Sequence, residues 1–339
     1  MSDVRELEGL SVLVTCYNKN EYVEKCFLAL VEMEKLGASV IIIDDGSTDG
    51  SSELLLKAKM ELDSNIQVIR TANQGAGPAR LVSIKQAETD FVFFLDIDDF
   101  PIVSGVKKLL NSFKRSSADL AVGNYKVIQN SEIGLMPLEI SDFKTVSLKD
   151  HRQEFKDAMG WWRYIYRRDF LIQQHNLIGK AFGDFGDKKF VLDDLFWMIH
   201  LCAQDLEVIV SPNSLSVYEY NLPEENADSR WNAYLIQVSY LPEAADKFLH
   251  FVEKNKCLHN EDWMTEVTLK EIWNHMPLLS FFAFYKSYSA SFCLTSKYLG
   301  GKNYSYLGGK NYSYLSATGY LLVAIAKRIM RLFRQLQSH

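Results

Sequence analysis

Four short apolar runs punctuate the first hundred residues, and each gives way to polar or charged positions. Ser11-Val-Leu-Val-Thr15, Val40-Ile-Ile-Ile43, Ile66 to Ile69 and Phe91-Val-Phe-Phe-Leu95 read as strands, the last apolar enough for burial on both faces. Helical spacing fills the gaps between them. From Glu21 to Leu36, apolar residues fall at Tyr22, Cys26, Leu30 and Met33, and Gly37 stops the run. A second helix takes Ser51 or Ser52 as its cap and continues to about Leu62. A third follows the turn Asn73-Gln-Gly-Ala-Gly-Pro-Ala-Arg80, with Pro78 in its first turn, and reaches about Glu88. Strands alternating with helices through short connections predict an α/β fold, a mostly parallel, Rossmann-like sheet flanked by helices. Right-handed crossovers then bring all four strand ends to one rim.

Beyond residue 100 the pattern loosens. Leu120 to Ile128 reads as one further strand, and 129–150 as a polar, irregular surface excursion. Gly160 to Leu171 is dense in aromatics and arginines. Asp193 and Asp194 precede an apolar helical run, Leu195 to Leu201. Leu206 to Val210 and Ser216 to Tyr220 read as short strands, and Asn221 to Arg230 as a polar loop. The pattern from Trp231 onward is helical, so the chain is divided into a sheet domain, 1–225, and a helical C-terminal region, 226–339. Within that region Tyr298 to Ser305 is repeated without change as Tyr306 to Ser313, too few copies for a solenoid. Leu322, Ile325, Ile329, Leu332 and Leu336 form an apolar stripe, with Lys327, Arg331 and Arg334 opposite. Such a basic amphipathic helix over 320–337 suits either an anionic membrane surface or docking onto protein.

Composition narrows the classes. At 339 residues, 47% hydrophobic and 24% charged, the chain is an ordinary globular one. A net charge of -6 argues against a nucleic-acid partner held by overall charge. The five cysteines are scattered, without CxxC spacing, which points to reduced thiols rather than disulfides or a zinc site. No signal-peptide core opens the sequence, and no apolar run approaches the roughly 20 residues of a membrane span. A cytoplasmic location, with peripheral contact to the membrane through the terminal helix, is the resulting expectation.

Candidate chemistry gathers at the predicted rim. Asp96, Asp98 and Asp99 crowd three carboxylates into four positions at a strand end. They repel one another unless a cation neutralises them, and Mg²⁺ or Mn²⁺, shared with substrate phosphates, is the hard cation such oxygens select. Tyr17, Asp44, Asp45 and Arg80 fall at the same rim. A ring to stack on a base, carboxylates for base or ribose donors, an arginine and a metal-binding turn together fit a nucleotide diphosphate. Gly75-Ala-Gly77 lacks a third glycine and is not a dinucleotide fingerprint, and no Gly-Lys-Ser/Thr phosphate loop is present. Asp193 and Asp194 fit either helix N-capping or proton abstraction. The aromatics Trp161 and Trp162 fit either a core or a sugar-stacking surface. Arg163, Arg167 and Arg168 fit either a solvated face or an anion.

Four stretches in this order, Ser11 to Asn18, Ile43-Asp-Asp-Gly-Ser-Thr-Asp49, Asn73 to Arg80 and Phe94-Leu-Asp-Ile-Asp-Asp99, resemble the family 2 glycosyltransferases of the GT-A fold. The likeness is strong over about 10–125 and looser to about 220. It implies an inverting, metal-dependent transfer from a nucleotide-diphospho-sugar, most simply a UDP-sugar, to a glycan or lipid-linked acceptor of a bacterial surface polysaccharide. It further implies donor contacts at Thr15, Tyr17, Asp44, Asp45 and Asp96, and metal ligation by Asp96 and Asp98. Arg80 would lie near the base or diphosphate, or else pair with Asp44 or Asp45. Asp194, with Asp193 as second choice, would be the catalytic base; the first member of this pair is Asp where the family usually carries Glu. Trp161, Trp162, Arg163 and Arg230 would face acceptor or diphosphate. A non-catalytic scaffold of the same fold, binding nucleotide-sugar or glycan, is the alternative, and a nucleotidyltransferase is set back by the missing basic phosphate loop.

Overall fold

The computed structural model describes residues 5–128, 133–134, 138–157, 160–174 and 193–221, together with 245–246, 248–254, 264 and 267–268. The chain divides into two compact units, Met1–Glu224 and Glu225–His339. The C-terminal repeat and the 320–337 helix lie outside the described residues.

The first unit is built on an eight-stranded sheet. Its parallel half comprises β1 (Leu10–Cys16), β2 (Ser39–Asp44), β3 (Gln67–Arg70) and β4 (Phe91–Asp96). The order is β3-β2-β1-β4, so β1 has β2 on one side and β4 on the other, parallel to both. The direction of winding reverses between β1 and β4, and ligands of open α/β sheets bind at such a reversal, outside the carboxyl ends of the strands. Three helices connect these strands: α1 (Asn20–Lys35), α2 (Ser51–Glu61) and α3 (Ala76–Gln86). Helix α1 buries Val23, Cys26, Phe27, Leu30, Val31 and Met33; Val23 and Phe27 join the expected stripe, and Tyr22 is only half-buried. The expected serine cap of α2 is replaced. Gly50 precedes the helix with φ 93°, and Asp49 Oδ1 accepts from the Ser51 amide and hydroxyl.

The other half of the sheet departs from the expected pattern. Past the two-residue strand β5 (Phe100–Pro101), helix α4 (Val103–Lys114) packs Val106, Leu109, Leu110 and Phe113 into the core. The single strand expected over 120–128 is two: β6 (Leu120–Val122) in the main sheet and β7 (Asn124–Val127) in a smaller one. The chain switches sheets at Gly123, where a Cβ would lie 2.5 Å from the Val217 side chain. The region 129–150 is not wholly irregular. It carries β8 (Ile133–Gly134) in the small sheet and β9 (Lys144–Ser147) at the edge of the large one. The aromatic block becomes a 3₁₀ turn (Trp161–Arg163) and then β10 (Tyr164–Arg167), inserted antiparallel between β4 and β6. A helix, Asp193–Cys202, leads into β11 (Glu207–Val210), which is parallel to β6, and β12 (Ser216–Tyr220) completes the small sheet. His200 is a satisfied core residue, its Nε2 2.7 Å from Gln174 Oε1.

Candidate functional site

Strands β1 and β4 end side by side, with Thr15 opposite Asp96. The Thr15 hydroxyl donates to Asp96 Oδ1 over 2.5 Å. From α3, the buried Arg80 places Nη2 3.3 Å from both Asp96 oxygens. This differs from the Asp44 or Asp45 pairing that was one expectation for Arg80, because α3 directs the guanidinium toward the end of β4. The Asp96 side chain remains 30% exposed, so a polarised carboxylate faces the crevice.

The turn after β4 is closed by the Asp99 amide donating to the Asp96 carbonyl, 3.0 Å. Its three carboxylates meet three different surroundings. Asp96 has Arg80, Asp98 has the Lys19 ammonium at 2.8 Å, and Asp99 is buried against uncharged donors. Tyr218 donates its hydroxyl to Asp99 Oδ2 and Asn221 its amide to Oδ1, each over 2.7 Å. Burial pushes the Asp99 pKa up to about 8 against the pull of these two donors, and Asp96 and Asp98 add to the rise. Lys19, Tyr218 and Asn221 were not singled out from the sequence. Tyr218 and Asn221 lie 119 and 122 positions from Asp99, so no local spacing marks them.

At the end of β2, Asp44 and Asp45 are both buried. Asp44 Oδ1 accepts from the Ser47 amide over 3.0 Å, while among the described residues Oδ2 has no hydrogen-bond donor and lies 3.6 Å from Arg70 Nε. Asp45 accepts from the Gln74 amide at 3.0 Å and the Gly75 amide at 2.7 Å, fastening the turn before α3 to β2. Tyr17, 41% exposed just past β1, offers its ring at the same edge. Its neighbour Asn18 takes φ 51° and binds the Thr48 amide through Oδ1, which ties the β1 and β2 loops together. The Cys16 thiol below is pushed up to about 12, by burial first and by the Asp44 charge next, so it stays protonated and is no nucleophile.

The residues expected at an acceptor divide. Trp162 is half-buried, stacked on Tyr220 at 5.8 Å and edge-on to Tyr125 at 4.9 Å. Arg163 is turned into the core instead: it is 2% exposed, donates from Nε to the Gly123 carbonyl and lies over the Tyr125 ring. That position braces the sheet switch. Trp161 opens the 3₁₀ turn, and Arg230 lies outside the described residues. Asp193 and Asp194 are the first two residues of their helix. That helix joins the amino end of β11 through only residues 203–206 and packs on β10 through Trp197 and Tyr166.

Among the described residues, no three His, Cys, Asp or Glu side chains are grouped as metal ligands. Asp96 and Asp98 nevertheless suit a hard cation in part, since an ammonium already lies on Asp98. They would supply carboxylate oxygens to such an ion, with the donor's phosphates as the remaining partner chemistry.

Comparison with known proteins fits this geometry. Residues 11–196, more than half of the chain, match the sequence profile of glycosyl transferase family 2. The glycosyltransferase GlyA of Streptococcus pneumoniae is 32% identical over 185 residues, 51% of this chain and 26% of that protein. The poly-beta-1,6-N-acetyl-D-glucosamine synthase of Staphylococcus aureus is 30% identical over 207 residues, 61% of this chain and 46% of that protein. The chain therefore spans less than half the length of either relative. The structure of S. aureus TarS residues 1–349 superposes with a TM-score of 0.51 at 20% identity, covering 89% of this chain and 95% of that one, a likeness of fold. A switch-point crevice lined by the four expected motifs, together with this match, establishes that the chain belongs to glycosyl transferase family 2 and carries its GT-A fold.

Proposed function

We propose that this protein transfers a sugar from a nucleotide-diphospho-sugar, a UDP-sugar, to a hydroxyl of a glycan or lipid-linked acceptor in surface-polysaccharide synthesis. The observation that carries the proposal is the convergence of Thr15, Arg80 and Asp96 at the β1–β4 reversal, with Asp98 and Tyr17 on the same edge. Two further facts support it. TarS, alike in fold, binds UDP and UDP-GlcNAc, and the relatives that match in sequence include a teichoic acid polymerase and a polymeric N-acetylglucosamine synthase.

In this reading Tyr17 stacks on the base, and Asp44 and Asp45 shape the base pocket. Asp45 does so partly through the amides it already holds. Asp96 and Asp98 would hold Mn²⁺ or Mg²⁺, which supplies positive charge opposite the diphosphate leaving group. Asp194, with Asp193 beside it, takes the proton of the acceptor hydroxyl as that oxygen attacks the anomeric carbon, and a single displacement inverts it. Trp161 and Trp162 offer aromatic surface to the acceptor, and Arg230 a charge to the diphosphate. The basic stretch 320–337 holds the protein at a membrane surface near a lipid-linked acceptor. Among the described residues, no helix is long and apolar enough to cross a membrane.

Calorimetry against UDP, GDP and CDP, each with and without Mn²⁺, tests the donor assignment. Metal-dependent binding of UDP that disappears in Asp98→Ala is the expected result. A folded protein that binds none of the three overturns the donor site and restores the scaffold alternative.

A further inference from the structure

The two outer carboxylates of the acidic turn are already matched by cations of this chain. Arg80 is buried and serves Asp96, whereas Lys19 serves Asp98 from a partly exposed side chain. The two pairs differ in how readily they open. Arg80 is a planar fork held in a packed position on α3, but Lys19 is a compact charge on a flexible four-carbon stem. Its main chain is fixed independently, since the Lys19 amide donates to Ser51 Oγ over 3.0 Å. Around it, the Tyr22 ring lies 5.7 Å from Nζ, and the Lys19–Asp98 contact of 2.8 Å is shared with solvent, at 28% and 22% exposure. The main-chain anchor of the β1–α1 loop therefore does not depend on where the ammonium lies.

We infer that Lys19 is a displaceable counter-ion for Asp98: it holds the carboxylate while the crevice lacks a divalent cation, and swings to the donor's diphosphate once such a cation takes Asp98. This rests on the donor-site reading above and adds a positioning residue to it. The consequence is an ordered preference. A divalent cation alone competes with a tethered ammonium and binds weakly, whereas cation and diphosphate together give both Asp98 and Lys19 a partner.

The test compares wild type, Lys19→Met and Lys19→Arg as full-length proteins, by calorimetric titration with Mn²⁺ alone and then with UDP at saturating Mn²⁺. Lys19→Met is expected to bind Mn²⁺ alone about two- to fivefold more tightly, the scale of a partly exposed ion pair. The same variant should bind UDP several-fold more weakly, whereas Lys19→Arg, which can grip Asp98 as a fork, should bind Mn²⁺ alone no more tightly than wild type and keep UDP binding near it. Unchanged or weaker Mn²⁺ binding in Lys19→Met, or no Mn²⁺ binding to any of the three, overturns the inference. Unchanged UDP binding beside tighter Mn²⁺ also overturns it, because the lysine would then never reach the diphosphate. Failure of the nucleotide titration in wild type overturns the donor reading instead, while the Mn²⁺ titration still judges the Lys19–Asp98 competition.

Discussion

Thr15, next to last in β1, and Asp96, last in the neighbouring parallel β4, are register partners, and the Thr15 hydroxyl donates to the Asp96 carboxylate. The contact binds the first and fourth strands at the point where the winding reverses. It also fixes one Asp96 oxygen toward the sheet, while part of the carboxylate stays open to the crevice. With Arg80 on the same carboxylate, three elements distant in sequence share one anchoring point.

Arg80 is expected to matter for stability as well as for donor binding. Arg80→Met leaves Asp96 with Thr15 and removes the buried charge that is paired with it. Breaking a buried pair costs about 3–5 kcal/mol, but the partial exposure of Asp96 moves the expectation down to about 1–2 kcal/mol. Urea denaturation of the variant checks this, and an unshifted midpoint would show that the pair contributes nothing measurable to folding.

Asp45 should behave as a loop fastener. Asp45→Ala leaves the Gln74 and Gly75 amides without their acceptor, which costs about 1–3 kcal/mol where such groups are shielded from water. Hydrogen exchange at those two amides should accelerate well beyond that of the surrounding α3 amides. Asp45→Asn, which keeps one carboxyl-type oxygen, should fall between. Exchange that is unchanged in Asp45→Ala would remove the fastening role and leave Asp45 to the nucleotide alone.

Two glycines should respond unequally to the same substitution. A Cβ on Gly105, inside α4, would lie 1.9 Å from the Ser216 carbonyl oxygen, so Gly105→Ala must push α4 off β12. A loss of about 3 kcal/mol or more, or failure to accumulate folded protein, is expected. Gly50 has open space around it but φ 93°, so Gly50→Ala should cost only the left-handed strain of about 1–2 kcal/mol. Thermal melts of the pair decide this, and equal losses would contradict the close approach of α4 to β12.

What the sequence made legible follows a physical boundary. Strands β1 to β4 are local apolar runs joined by short helices, and their topology follows from chain handedness, so the crevice with Thr15, Arg80 and Asp96 could be anticipated. Strand β10 could not. Tyr164–Arg167 owes its place to pairing with β4 and β6 from opposite sides, and nothing within the segment encodes those partners. The same holds for Arg163, which the sequence leaves to a solvated face or an anion and which Gly123 and Tyr125, some forty positions away at the switch between sheets, hold in the core. Asp99 looks like Asp98 in the sequence, and only Tyr218 and Asn221 make it a structural carboxylate.

Asp194 and Asp98 should separate binding from chemistry. Asp194 is the second residue of its helix, whereas Asp98 stands on the turn after β4, where the donor's phosphates are proposed to lie. Asp194→Asn keeps the size of the side chain and removes its capacity to take a proton. UDP binding in the presence of Mn²⁺ should therefore stay within about twofold of wild type. Transfer to a competent acceptor should fall by roughly 10²–10⁴, the usual range for a general base. Asp98→Ala should show the reverse order, losing UDP binding first. Asp193→Asn is the control for helix capping: it should lower stability by no more than about 1 kcal/mol and leave most of the turnover. Full turnover in Asp194→Asn with strong loss in Asp193→Asn would move the base by one residue. Full turnover in both would place it outside this helix.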